Sequence, residues 1–254
     1  LVVEDLPPLG VARIFPEPDA SLQVLADGEG WLAVNKPAGV PVHPLHDGEL
    51  GTVLNAIVAR EPKILGVGEG ALRSGVVHRL DVETSGVLLV GTEVSAWERL
   101  REAFRAHRVQ KIYRALVSGQ PDWPEVHSIE VALRVAQHRP ARVRVMDLDP
   151  ASDRARSVWM AQQEMRVLET FGDCSLVEVR PRTGFLHQIR VTLAHLGHPV
   201  LGDGTYGSEQ DAARAERHML HAARVQVDEI DVEAPDPEDF SSLVERLRAD
   251  AMEG

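Results

Sequence analysis

The sequence predicts an α+β fold: a large, mixed, mostly antiparallel sheet flanked by helices. Strand-like runs outnumber helical ones, and many follow one another with no helix between them. The helical patterns are few and unevenly spaced, which is not the regular strand–helix alternation of a parallel, doubly wound sheet. At 254 residues the chain is long enough to bury a substantial core as one large domain or two small ones.

The elements follow in order. The first thirty residues are punctuated by Pro7, Pro8, Pro16 and Pro18 and hold one expected strand, over 21–25. Residues 31–35 form the next strand, stopped by Lys36-Pro37. A helix is expected over 52–60, with Thr52 as its cap and Val53, Leu54, Ile57 and Val58 on one face. Gly-rich residues 61–75 read as loop. Two apolar, β-branched runs then flank Asp81-Val82-Glu83-Thr84-Ser85-Gly86 and read as buried strands joined by a turn. An Arg-rich helix over 94–107 carries Trp97, Leu100, Ala103 and Phe104 as an apolar stripe. Strands are expected over 109–118, 126–135, 142–146, 154–160, 165–171 and 175–180, the last two as a hairpin across Gly172-Asp173. A helix over 186–196 ends at Gly197, with Pro199 beyond it. A last strand covers 219–227, an acidic linker 234–239, and a short amphipathic helix 240–247.

The net charge of −12 is unevenly spread. Residues 225–254 carry ten acids against Arg246 and Arg248, and residues 1–30 carry six against Arg13. The intervening body is almost neutral. Within it, Arg99 to Arg114 and Arg134 to Arg144 form basic stretches, the kind of footprint sought in a nucleic-acid binder. Ordinary solvated arginines would give the same count. No run reaches the length of a membrane span and no export signal is visible. The lone Cys174 sits in an alternating strand pattern, so a packed thiol is expected, and the chain reads as cytoplasmic. It begins at Leu1, not Met, which leaves room for an upstream piece. The scattered histidines (His43, His46, His78, His187, His195, His198) have no HExxH-type or Cys-rich spacing, so no metal is expected.

Asp81 lies in a turn braced by its flanking runs, a common way to carry a catalytic group. An Asx-turn would use the same residue structurally, and its company decides the matter. His78-Arg79-Leu80-Asp81-x-x-Thr84-Ser85-Gly86 resembles the signature of the RluA-type pseudouridine synthases, which isomerise uridine in RNA. Three further segments are similar to the family's motifs, in order. They are Val34-Asn35-Lys36-Pro37-Ala38-Gly39, Lys111-Ile112-Tyr113-Arg114-Ala115, and a third running from Arg182 through His187-Gln188-Ile189-Arg190 to Gly202-Asp203 and Tyr206-Gly207. The resemblance covers roughly residues 31 to 225.

The resemblance implies a curved sheet with a central catalytic cleft. It implies an amino-terminal extension over 1–30, a catalytic domain over 31–227, and an acidic carboxy-terminal segment with a short helix over 228–254. Family members often carry a small amino-terminal RNA-binding domain, and no stretch here is long enough to supply one. Asp81 would be the catalytic carboxylate, attacking the ribose or stabilising charge as the glycosidic bond breaks. Arg190 would pair with it, since an always-charged planar fork suits a partly dry carboxylate. Tyr113 would lie against the uracil with its phenol near a ribose proton. Arg79 would fill the gap left by an extruded base, and His78 would orient the loop or touch a phosphate. His187 and Gln188 would line the pocket or anchor a loop, Lys36 would contact RNA, and Tyr206 would shape the cleft wall. No cofactor is implied. The partner would be RNA (ribosomal or transfer), with no DNA or membrane and with the monomer as default.

Three positions depart from the family's pattern. Phe185 and Leu186 replace a usual basic and a usual small hydroxyl residue, and Thr192 replaces a usual histidine. Phe185 could stack on a base instead. Two other readings stand beside this one. A binding or assembly factor that kept the fold but lost turnover is kept open by Phe185 and the acidic ends. A hydrolase using Asp81 as nucleophile is disfavoured, because no paired carboxylate and no Gly-x-Ser-x-Gly signature is visible.

Overall fold

The computed structural model describes residues 13–147 and 158–253. The chain divides into two compact units. The smaller contains the residues up to Val82 together with Val87–Ala106, and the larger contains Glu83–Gly86 together with His107 onward.

In the smaller unit, β1 (Gln23–Gly28) and β2 (Trp31–Lys36) form an antiparallel hairpin. Helix α1 (Val53–Arg60) starts as expected. Thr52 Oγ1 accepts from Asn55 N at 3.3 Å while Asn55 Oδ1 accepts from Thr52 N at 3.1 Å, so both orphan donors are satisfied. Its apolar face packs with Leu32, Val34, Leu88 and Val90 in one core. Strand β3 (Ser85–Gly91), which belongs to this unit from Val87 on, is buried along its length, and helix α2 (Val94–Arg105) buries Leu100 and Ala103.

The run before Asp81 corrects the sequence reading. Only Val76 pairs, in an isolated bridge to Val90, and residues 77–84 form no strand. Side chains take over the ladder's work. Trp97 Nε1 donates to Val76 O, Arg101 Nη1 donates to Val77 O, and His78 Nε2 accepts from Leu89 N. A backbone satisfied in this way does not need a neighbouring strand.

The larger unit holds β4 (Gln110–Ser118), β5 (His127–His138), β6 (Ala141–Met146), β7 (Trp159–Phe171), β8 (Cys174–Pro181), β9 (Leu220–Val227) and β10 (Ile230–Glu233). Its sheet runs β9-β4-β8-β7-β5-β6, with β10 also on β9, and all these pairs are antiparallel. Parallel pairing enters where Ser85 and Gly86 meet His221 and Ala222 of β9, making the sheet mixed and mostly antiparallel as expected. Gly86 cannot be replaced there. Its φ is 115°, and a Cβ would stand 2.2 Å from Ala222 O.

Residues 159–171 form one bulged strand where two were expected, and the 154–157 part of that expectation lies outside the described residues. Strand β10 was not foreseen. Its acids alternate with Ile230 and Val232, which are buried while Asp231 and Glu233 face out. The helices are α3 (Gln188–His195), the short α4 (Glu209–Ala212) and α5 (Glu238–Glu253), the last longer at both ends than expected. Phe240, Leu243 and Val244 of α5 enter the core beside Leu116, Val177 and Leu220. Cys174 is fully buried there, and burial pushes its thiol up. Among the described residues no helix is long and apolar enough to cross a membrane.

Candidate active site

In the smaller unit, the chain around Asp81 is fixed by Lys36. This lysine is fully buried, and its Nζ donates to Pro37 O, Val40 O and Val82 O, each at 2.7 Å. Gly39 N adds a second donor to Val82 O at 3.0 Å. An ammonium survives such burial because carbonyl dipoles replace its water. Three donors aimed at three carbonyls brace the loop from within. His78 is also tied inward, accepting from Leu89 N at 2.9 Å and stacking on Phe104 at 4.6 Å between ring centroids. Arg79 is exposed and Asp81 is half-buried.

The larger unit carries Tyr113 and Arg190. Tyr113 lies on β4 between Val179 of β8 and Ala222 of β9, next to a bulge at Ile112/Tyr113. Bulges re-aim side chains, and they are common beside functional sites. Arg190 is 6% exposed and donates through Nε to Asp203 Oδ2 at 2.7 Å and through Nη2 to Asp203 Oδ1 at 2.8 Å. Its guanidinium carbon lies 5.3 Å from the centroid of the Tyr206 ring. Asp203 is 1% exposed and also accepts from Thr205 N and Tyr206 N. Burial pushes its carboxyl up, but the Arg190 bonds outweigh this and hold it below the usual carboxylate range.

The loop that leads into α3 is held at several points. Gln188 Oε1 accepts from Thr183 Oγ1 and Phe185 N, while its Nε2 donates to Gln162 O. Lys111 Nζ donates to Thr183 O at 2.8 Å, and desolvation lowers its pKa to about 8. His187 is left-handed, at φ 53°, and its Nδ1 lies 2.8 Å from the Tyr206 hydroxyl, which also accepts from Val143 N. Tyr206 therefore props both the loop and the guanidinium. Phe185 stacks on Trp159 at 5.5 Å between centroids, and Trp159 is 65% exposed. Leu186 packs inward and Thr192 is fully buried.

Sequence reasoning assigned no role to Asp203, although it lies inside the third motif. A buried arginine demands an anion, and an acid thirteen residues on in a Gly-rich loop was the available signal.

A family model described as RNA pseudouridylate synthase matches residues 30–195. An uncharacterised RNA pseudouridine synthase of Chloroflexus aurantiacus is 43% identical over 190 residues, covering 74% of this chain, which spans 56% of that relative's length. The ribosomal large subunit pseudouridine synthase D of Pseudomonas aeruginosa is 31% identical over 250 residues, covering 91% of this chain and 73% of its own length. Among solved structures, human RNA pseudouridylate synthase domain containing 1 aligns at a TM-score of 0.68 and 27% identity, covering 92% of this chain and 98% of that one. Human RNA pseudouridylate synthase domain containing 4 shares the fold at a TM-score of 0.71 and 24% identity, covering 89% and 93%. On these matches the chain belongs to the RNA pseudouridylate synthase family of isomerases.

Proposed function

We propose that this protein converts uridine to pseudouridine in structured RNA. The family match over residues 30–195, with Asp81, Tyr113 and Arg190 all in their motif positions, is the observation that carries the reading. The reaction breaks the C–N glycosidic bond, turns the uracil and rejoins it through carbon. Atoms balance within the nucleotide, so no electron or group carrier is required. Asp81 supplies the carboxylate that attacks the ribose or stabilises its developing charge, and Arg190, its plane set by Asp203, is the guanidinium that the family resemblance assigns as its partner. Tyr113 holds the uracil and takes part in proton transfer at the ribose. Arg79 fills the space vacated by the flipped base. His78, His187 and Gln188 hold the backbone around these groups.

Phe185, with Trp159, gives an unpaired base a stacking surface where the family usually has a cation. The relatives named ribosomal large subunit pseudouridine synthase D support ribosomal RNA as substrate ahead of transfer RNA. We place the protein in the cytoplasm as a monomer.

Release of tritium from RNA labelled at uracil C5 tests the reading. Wild type releases tritium, whereas Asp81→Asn binds RNA and releases none. Equal release by both would remove Asp81 from the chemistry. No release by wild type on total cellular RNA would favour a binding factor.

A further inference from the structure

The acidic end of the chain is wired to the loop that carries Asp81. Three residues of that loop, Glu83, Thr84 and Ser85, belong to the larger unit, and each is held by β9 or by the residues just before it. Arg217 Nη1 donates to Glu83 O at 3.0 Å and Nη2 to Ser85 Oγ at 3.4 Å. His218 Nε2 meets Thr84 Oγ1 at 2.9 Å, and His221 Nδ1 meets Ser85 Oγ at 2.9 Å. All four side chains on this inner layer other than Arg217 are at most 5% exposed, and Arg217 is 7% exposed.

Behind Arg217 and His221 stand two carboxylates, Asp236 just before α5 and Asp239 in its first turn. Asp239 takes Arg217 in a fork, Nε to Oδ2 at 2.6 Å and Nη2 to Oδ1 at 3.0 Å. Asp236 Oδ2 accepts from Arg114 Nη1 at 2.7 Å, while its Oδ1 is buried 3.8 Å from His221 Nε2. That ring nitrogen also faces Ala234 O at 3.3 Å. With the Ala234 carbonyl as its acceptor and the Asp236 carboxylate beyond, Nε2 carries the hydrogen, so Nδ1 accepts from the Ser85 hydroxyl. The Ser85 oxygen is then left to accept from Arg217. The hydrogen bonds run from Arg217 through Ser85 and His221 to Ala234 O, Asp236 Oδ1 faces the ring at 3.8 Å as a charge without a hydrogen bond, and Phe240, fully buried, pins the acidic segment in place.

We propose that Asp236 and Asp239 are positioning residues for the isomerisation, presetting His221 and Arg217 so that Glu83–Ser85, and through the backbone Asp81, are held in the reactive geometry. This rests on Asp81 being the catalytic carboxylate. A Ser–His–Asp hydrolase is not what the geometry offers, because Ser85 is 2% exposed and bonded on both sides.

The test is single-turnover tritium release at saturating enzyme, with RNA affinity measured separately, on the full chain. Asp236→Asn and Asp239→Asn are expected to slow the chemical step 10- to 100-fold with RNA affinity within twofold of wild type. Asp239→Glu should recover part of the rate. Asp231→Asn is the control, because it removes the same charge from the same end of the chain but serves half-exposed Arg224 and Gln226, away from the Asp81 loop. It should leave the rate unchanged. Wild-type rates in folded Asp236→Asn and Asp239→Asn, or an equal slowing in Asp231→Asn, would overturn the proposal. If either aspartate variant fails to fold, Ser85→Ala decides, since it cuts the same chain with one small deletion, and a wild-type rate there also overturns it. Loss of the Asp81 reading would show separately, as release by Asp81→Asn.

Discussion

Arg190 and Asp203 form a two-point fork inside the protein, with bonds of 2.7 and 2.8 Å and neither side chain more than 7% exposed. The fork uses Nε and Nη2, so the guanidinium plane is set by Asp203, and the Tyr206 ring fixes it from one side. Removing Asp203 takes the fork partner from a buried cation, and breaking such a pair costs about 3–5 kcal/mol. We expect Asp203→Ala to lower the urea-unfolding free energy by that order and to abolish tritium release. An Asp203→Ala variant as stable as wild type would show that Arg190 does not depend on this partner.

Lys36 offers a sharper contrast between structure and contact. A lysine on RNA phosphate would, when removed, weaken binding and lower the salt slope of affinity by about one. A lysine bonded to Pro37, Val40 and Val82 carbonyls should do neither. Lys36→Met is expected to keep RNA affinity within twofold and its salt slope intact. Turnover should fall at least tenfold as the carbonyl after Asp81 loses one of its two donors and those of Pro37 and Val40 lose theirs. A reduced salt slope would return Lys36 to the RNA surface.

Much of this was legible in the sequence because alternation and turn residues are local signals. The strand over 109–118, the hairpin at Gly172-Asp173 and the Thr52 cap all follow from neighbours in the chain. Strand β10 was missed because its outward acids matched the composition of a linker, although Ile230 and Val232 already had the spacing of a strand. The run before Asp81 looked like a strand, and its β-branched residues are indeed buried, but Trp97, Arg101 and His78 answer its backbone from elsewhere. Among the candidate site residues, the motifs pointed to Asp81, Tyr113 and Arg190 by position. They could not show where an ammonium points, nor that Ser85 meets a histidine 136 positions away. Long-range polar pairing leaves no periodic trace.

The stacked pair Trp159 and Phe185 leads to a binding prediction. Base–aromatic stacking is worth about 1–3 kcal/mol per base on alanine substitution. Phe185→Ala and Trp159→Ala should each weaken RNA affinity by about five- to a hundredfold on that scale, measured by filter binding at fixed salt. Single-turnover rate at saturating enzyme should stay near wild type. Unchanged affinity in both variants would make the pair a packing feature of the sheet edge.

Acid should destabilise the fold through histidines that are buried neutral. His43 and His221 are both held below the usual 6.5, chiefly by burial, which disfavours the imidazolium. His43 also feels Arg73 and Arg79, and His221 feels Arg217 and Arg114, while Asp236 and the Ala234 carbonyl oppose the shift in His221. In the unfolded chain these rings take up protons near 6.5, whereas the folded chain takes them up only at lower pH. Stability is therefore full above 6.5 and is lost as pH falls from there through the folded values. Urea unfolding between pH 7.5 and 5 should show this decline, and His221→Gln should flatten it while shifting the whole curve down. A His221→Gln slope as steep as that of wild type would place the acid sensitivity outside His221 and its Ser85 and Ala234 partners.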